Sequence, residues 1–418
     1  MALNVYFCTK RTKNMILSFA ISNYRSFKER TEFSMEATAS QAKPENVASV
    51  QMRGKSIRVL KSSLIYGSNA SGKTTVIRAL HSLCSEINGM VTKKGGEGVT
   101  LYDPFVLDNE SANKPSLMEV VFIAESKKYV YSISFDRYSF LDERLECYMN
   151  GKSKSTLFTR DTSKGVVHAP KYTSLKERPK FTVYPNKLII TKFLMDTPHP
   201  VIQPAVDFLS SIGFANSYSP RMKEVLWYEA RELLRSNEYQ SKLRRFLNYV
   251  DFGITDFKMP EDNKLENVML THKTSVDAEG NNMILMREES LGTSTLFLLG
   301  PKIIQALDFG TPLFVDELDS AFHSHISTFI LRMFSSPRIN PKNAQLIIVT
   351  HDVTLMREDS IRRDQIWFSE KNENGESDLF ALSDFDGVRE NTPFSKWYLL
   401  SKFGAVPSIN DVEAVFDE

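Results

Sequence analysis

At 418 residues the chain is long enough for two or three ordinary domains, which excludes a miniature scaffold held by disulfides or a structural metal. With 42% hydrophobic and 25% charged residues it has the composition of a folded globular protein rather than a disordered or fibrous one. The 52 Lys and Arg against 51 Asp and Glu leave a net charge of +1, so any surface for nucleic acid or anionic lipid has to be local.

Residues 1–14 carry Lys10, Arg11 and Lys13 without the apolar stretch of a secretory signal, and read as an arm or extension; Met15, which opens a strand pattern, is an alternative start to Met1. Two strand-like runs within residues 15–36 flank Asn23-Tyr24-Arg25-Ser26-Phe27, and a third, residues 57–66, runs into a glycine-containing turn. Helical spacing follows over 74–87. Between 117 and 158 apolar and polar residues alternate, as at Tyr129, Tyr131, Ile133 and Phe135, which predicts antiparallel hairpins. From 200 to 249 the period becomes helical, with helices expected at 222–234 and 239–249. Strands return at 268–274 and 283–288 around a turn at Gly280. A helix at 292–307, a strand at 313–316, a helix at 323–334 and a strand at 345–350 complete a pattern that implies a covered α/β sheet. No internal repeat or sustained heptad is present.

Cys8, Cys84 and Cys147 form no CxxC pair, which argues against a zinc cage or disulfide framework and suits a reducing, cytoplasmic setting. No apolar run approaches the roughly 20 residues of a membrane-spanning helix, so no membrane partner is expected.

The chemistry concentrates in four places. Gly67-Ser68-Asn69-Ala70-Ser71-Gly72-Lys73-Thr74, followed by Thr75, fits GxxxxGK[ST] between a strand and a helix. Glycines let backbone N–H groups curl round an anion at a helix N-terminus, Lys73 suits the β and γ phosphates, and Thr74 suits Mg²⁺. The strand Pro312-Leu313-Phe314-Val315 ends in Asp316-Glu317, a Walker B pattern in which Asp316 suits the Mg²⁺ shell and Glu317 the attacking water. A further apolar strand ends at Thr350-His351, where an imidazole can donate to the γ phosphate. The fourth element, Glu289-Ser290-Leu291-Gly292-Thr293, opens an apolar helix; read alone, it is equally well a capped helix start. Because the phosphate loop lies near residue 70 and the remaining elements beyond 289, the intervening segment reads as an insertion in a split head whose two ends fold together.

Taken together, residues 23–27, the phosphate loop, Ser290 and Gly292, Asp316 to Asp319 and His351 resemble the motifs of SMC, RecF and OLD-type ABC ATPases. The resemblance covers nearly the whole chain and implies a split α/β P-loop head: a mixed sheet flanked by helices, an antiparallel β subdomain and a mainly helical insertion. It divides the chain into an arm (1–14), an N-terminal ATPase lobe (15–195), the helical insertion (196–264) and a C-terminal lobe (265–418). In that family the signature serine contacts the γ phosphate bound by the opposite subunit. The resemblance therefore implies that Lys73, Thr74, Asp316, Glu317 and His351 act within one copy and Ser290 and Gly292 on its partner, with Asp319 at the D-loop linking the two sites. The cofactors implied are ATP and Mg²⁺.

Tyr102-Asp103-Pro104-Phe105, Asp316-Glu317-Leu318-Asp319, residues 363–368, Tyr398-Leu399-Leu400 and residues 403–407 narrow the resemblance. They are similar to stand-alone ATPase subunits of prokaryotic phage-defence modules, the RloA-like proteins and AriA of the PARIS system. Such subunits are often grouped as AAA proteins, although Ser290 to Thr293 and His351 are elements of ABC ATPases. The signature departs from the transporter sequence, and no glutamine is assigned to the Q-loop, for which the stretch around Asp103 stands nearest. The partners implied are a second copy or higher homo-oligomer, a separate Toprim-type nuclease or other toxin, and a phage trigger. A RecF-like DNA-binding repair ATPase, or a scaffold holding ATP with little turnover, is the alternative. Asp384-Phe385-Asp386-Gly387 resembles a Toprim metal motif but reads better as an acidic turn. Between Arg221 and Arg245 basic residues outnumber acidic ones; a solvated helix face is favoured there over a nucleic-acid or trigger-protein surface, with Trp227, Tyr228, Phe246 and Tyr249 expected in the insertion's core.

Overall fold

The computed structural model describes residues 14–407 apart from 53–54, 90–95, 149–153, 162–165, 169–182, 196–198, 217–219, 251–252, 275–281 and 358. Residues 1–13 of the arm, including Met1 and Cys8, and the turn at Gly280 lie outside the described residues.

The chain begins with β1 (Met15–Ser22), β2 (Thr31–Ser34), β3 (Val47–Met52), β4 (Lys55–Leu60) and β5 (Ser62–Gly67), followed by α1 (Lys73–Ile87). Next come β6 (Ser116–Ala124), β7 (Lys127–Phe135), β8 (Phe140–Tyr148), β9 (Lys154–Asp161) and β10 (Val166–His168). A mixed stretch holds α2 (Ile190–Met195), α3 (Gln203–Ser211), β11 (Gly213–Asn216), α4 (Pro220–Leu233), α5 (Asn237–Val250), β12 (Ile254–Lys258), β13 (Met269–His272) and β14 (Met283–Leu285). The remainder is α6 (Leu291–Phe309), β15 (Pro312–Asp316), α7 (Ser324–Ser335), β16 (Gln345–Val349), β17 (Ile366–Lys371), β18 (Ser377–Ala381) and α8 (Phe394–Leu399).

A mixed six-stranded sheet, ordered β11-β15-β16-β5-β17-β18, forms the centre, with all pairings parallel except β17 with β18. Its inner strands β15 and β16 are apolar almost without interruption because both faces are buried. Ile65, Phe314, Ile347 and Val349 face one core, shared with α1, α3 and a seven-stranded antiparallel sheet ordered β10-β9-β8-β7-β6-β1-β2. Leu64, Tyr66, Leu313, Val315, Leu346 and Ile348 face the other, built with α4 to α8. The expected hairpins are β6 to β9; β6 and β7 are joined by Glu125 and Ser126, both at positive φ (47° and 62°), the two-residue turn whose twist matches paired strands.

The two ends do fold together. β5 lies between β16 and β17, and the fully buried Gln345 at the start of β16 clasps the N-terminal lobe: its Oε1 accepts from Ile16 N (2.7 Å) while its Nε2 donates to the carbonyls of Ile16 (3.1 Å) and Leu60 (3.0 Å).

The structure corrects or refines three expectations. Residues 57–66 are two strands, not one: β4 pairs with β3 in a separate ribbon, and the chain crosses at Lys61 into the central sheet. Alternation is blind to such a crossing, since both strands are extended. Second, the stretch 196–264 is mainly helical, as expected, through α3, α4 and α5, and it also supplies two short strands: β11 joins the edge of the central sheet and β12 pairs with β13 in a three-stranded sheet. Third, Tyr249 does not pack in the core but is 75% exposed, whereas Phe246 is buried and Trp227 lies over Phe297. The charges of α4 and α5 largely pair among carboxylates: Arg235 with Glu232, Lys242 with Glu238 and Asp308, and Arg244 with Asp256.

In the antiparallel subdomain the fully buried Glu143 carboxylate accepts from Ile189 N (2.6 Å), Ile190 N (2.9 Å) and Tyr131 Oη (3.0 Å), fixing the start of α2. Burial raises its pKa, and the Arg160 charge opposes that rise. Glu143→Ala strands three buried donors, so a loss of about 3–5 kcal/mol is expected, measured as a lowered unfolding midpoint in denaturant.

Candidate functional site

Five parallel strands send their C-terminal ends to one edge of the central sheet, the edge at which α/β proteins place ligands. β5 delivers the glycine-containing loop. Gly67 (φ 154°) runs so close to β17 that a Cβ there would lie 2.2 Å from the Ser369 carbonyl oxygen. Gly72 (φ 113°) caps α1 in a conformation that L side chains rarely adopt, with Ser377 Oγ 2.8 Å from where a Cβ would stand. Both glycines are therefore required by the path of the chain. The loop leaves Ser71 Oγ buried without a hydrogen-bond partner among the described residues, and the first N–H groups of α1 point into the same hollow. Lys73 Nζ donates to the carbonyls of Gly67 (2.9 Å) and Ser68 (2.7 Å). Burial lowers its pKa, while Asp316, Glu317 and Asp319 act to raise it.

Asp316, at the tip of β15, is 4% exposed. Its Oδ1 accepts from Thr74 Oγ1 (3.1 Å) and its Oδ2 from Asn216 Nδ2 (3.0 Å) at the end of β11. Burial pushes the carboxyl pKa up, the Thr74 bond pulls it down, and Glu317 adds a further rise. A hydroxyl and a buried carboxylate this close, with charge crowded beside them, fit a divalent cation: the set is all oxygen, and a positive ion would relieve the repulsion.

Glu317 adopts φ 55°, left-handed backbone that is unusual for a residue with a side chain, and its N–H donates to Val349 O (2.9 Å) on the neighbouring strand. That kink turns the carboxylate out of the sheet and onto the cavity wall. Past the end of β16, His351 N donates to Asp319 Oδ2 (3.0 Å). Partial burial and then the Lys73 charge push the imidazole pKa down, favouring its neutral form.

These groups line a cavity of about 820 Å³. Asn69 to Thr75, Asp316, Glu317 and His351 all border it; Gly67 and Ser68 form the base of the loop, and Asp319 adjoins through His351. Ser290 and Gly292 do not border it. Ser290 caps α6, its Oγ accepting from Thr293 N (3.0 Å), and stands exposed beside Leu291, which is 55% exposed. Gly292 packs on the segment after Asp319, where a Cβ would lie 2.8 Å from Ala321 O.

Arg25 and Phe105, from the stretches 23–27 and 102–105, also line the cavity, as do Arg78, Asn216 and Lys371, which were not singled out from sequence. Arg78 follows Thr74 by one helical turn, a spacing that could have revealed it. Asn216 carries no local signal, since only the pairing of β11 with β15 brings it to Asp316. The stretch around Asp103 reaches the rim, where the Asp103 carboxylate meets Arg25 Nε (3.1 Å). Asp384 closes a turn, its Oδ2 accepting from Ala381 N (2.9 Å), and among the described residues no cluster of three His, Cys, Asp or Glu could hold a metal. No helix among them is long and apolar enough to cross a membrane.

In chain order, then, the molecule presents a glycine-containing loop, a serine-capped helix, a carboxylate pair and a strand-end histidine on a split α/β head. Among solved structures, the SMC head domain from Thermotoga maritima is 14% identical with a TM-score of 0.39, covering 88% of this chain and 98% of that one. The recombination mediator RecF in its ATP complex is 10% identical with a TM-score of 0.37, covering 90% of this chain and all of that one. No curated protein matches the chain. Residues 62–357, more than half of the chain, match a family model, and the chain belongs to that family, described as "AAA domain, putative AbiEii toxin, Type IV TA system".

Proposed function

We propose that this protein binds ATP with Mg²⁺ at the loop of Gly67 to Thr75 and hydrolyses it between two copies of itself. The observation that carries the reading is the division of the site. Lys73, Thr74, Asp316, Glu317 and His351 share one cavity, while Ser290 and Gly292 lie outside it at an exposed helix start, available to a second copy. The loop N–H groups and Lys73 hold the phosphates; Thr74 and Asp316 hold Mg²⁺, which when bound offsets phosphate charge. Glu317 orients and deprotonates the attacking water, and neutral His351 donates a hydrogen bond to the terminal phosphate.

The proposed role is that of a sensor or scaffold, with the ATP-closed homo-oligomer controlling a separate nuclease or toxin of the Toprim type in anti-phage defence. Support comes from the toxin and toxin–antitoxin wording of the family and from the motifs shared with phage-defence ATPase subunits.

Lys73→Ala tests the foundation. Lys73 gives a charge-assisted bond inside a nearly dry loop (6% exposed), so its loss is expected to weaken ATP binding by about tenfold or more in equilibrium titration of a fluorescent ATP analogue. Unchanged affinity overturns the assignment.

A further inference from the structure

The signature serine follows a segment anchored on a small sheet separate from the central one. β12, β13 and β14 form a small separate sheet, and β14 feeds through a single 3-10 turn (Met286–Glu288) into Glu289, the residue before Ser290. At the end of β13, His272 Nε2 meets Glu289 Oε1 at 2.7 Å. Both side chains are largely withdrawn from solvent, 17% and 9% exposed. Around the pair the backbone is tied as well: Met286 N donates to Val268 O (2.8 Å) and His272 N to Asn282 O (2.6 Å). The Ser290 side chain is exposed and is bonded only within its own helix start, to Thr293 N (3.0 Å) and Thr293 Oγ1 (2.9 Å), among the described residues. The direction in which that helix start faces depends on the residue before it, and among the described residues His272 is the side-chain anchor of Glu289.

We propose that His272 is a positioning residue that acts through Glu289 to aim Ser290 at the triphosphate held by a second copy. The inference rests on the shared-site reading above. The small sheet then serves as a bracket: whatever displaces β13 turns the serine away without touching the phosphate loop, which is why loss of this contact should be read in turnover and not in ATP capture.

The test uses the full chain, with ATP turnover measured over a range of ATP and protein concentrations and binding of a fluorescent ATP analogue measured on dilute protein. His272→Ala leaves a buried carboxylate unpaired and is expected to lower kcat about ten- to a hundredfold, the loss typical of a misplaced transition-state contact, with KM and binding within twofold. His272→Gln, whose amide can still donate to Glu289, should recover most of the rate. Wild-type kcat in His272→Ala overturns the proposal, as does a parallel loss of binding and turnover or a Gln variant no better than Ala. Ser290→Arg separates the two claims: if it is inactive while His272→Ala is unimpaired, only the positioning role falls; if it turns over normally, the shared site falls too.

Discussion

Glu317→Gln is expected to lower ATP turnover by about 10²- to 10⁴-fold while leaving ATP binding intact, the range that removal of a positioned general base spans. The geometry makes the substitution selective. Backbone at φ 55°, tied to Val349 O, sets the side chain's direction, and Gln keeps the shape while removing the basicity. The phosphate cradle follows a different strand, β5, and Asp316, although it precedes Glu317 at the tip of β15, keeps its own bonds from Thr74 and Asn216. Phosphate release under saturating ATP, paired with equilibrium binding of the same preparation, reads both halves; a variant that turns over at the parent rate removes Glu317 from the reaction.

Ser290→Arg is the second large effect. The change removes the cap of α6, worth about 1 kcal/mol, but its main consequence is a bulky cation where the serine is proposed to meet a bound triphosphate. Turnover should fall about a hundredfold, with nucleotide still bound by dilute protein. The same model requires that the parent's rate per molecule climb with protein concentration and then level off, as subunits pair. A rate that is constant across dilution, together with an active Arg variant, would mean that each molecule completes its own site.

The parts of this molecule that could be read without coordinates are those whose physics is local. Gly67 and Gly72 are dictated by loop path and helix entry, so spacing alone exposes them. β15 and β16 read as unbroken apolar runs because each is covered on both sides. The misses are non-local. β11 is four residues long, and nothing in Gly213 to Asn216 announces that it will extend a sheet whose next strand lies about a hundred residues on, so the Asn216 grip on Asp316 was invisible. The break at Lys61 separates two strands of the same period, and Tyr249 lies off the stripe of Tyr239, Leu243, Phe246, Leu247 and Val250 that α5 buries, which its aromatic side chain alone does not announce. Ser290 was legible as a cap and as a motif, while its separation from the cavity required the fold.

The place of β5 has a consequence for synthesis. Its neighbours on both sides, β16 and β17, are made almost three hundred residues after it. Until they emerge from the ribosome, the strand that carries the phosphate loop has no hydrogen-bonded companion, and Leu64 and Tyr66 lack the shelter they have in the finished molecule. A nascent or truncated polypeptide that ends before residue 345 therefore leaves the loop's own strand unpaired on both edges, and the proposed nucleotide site is expected to form only once the last strands are in place.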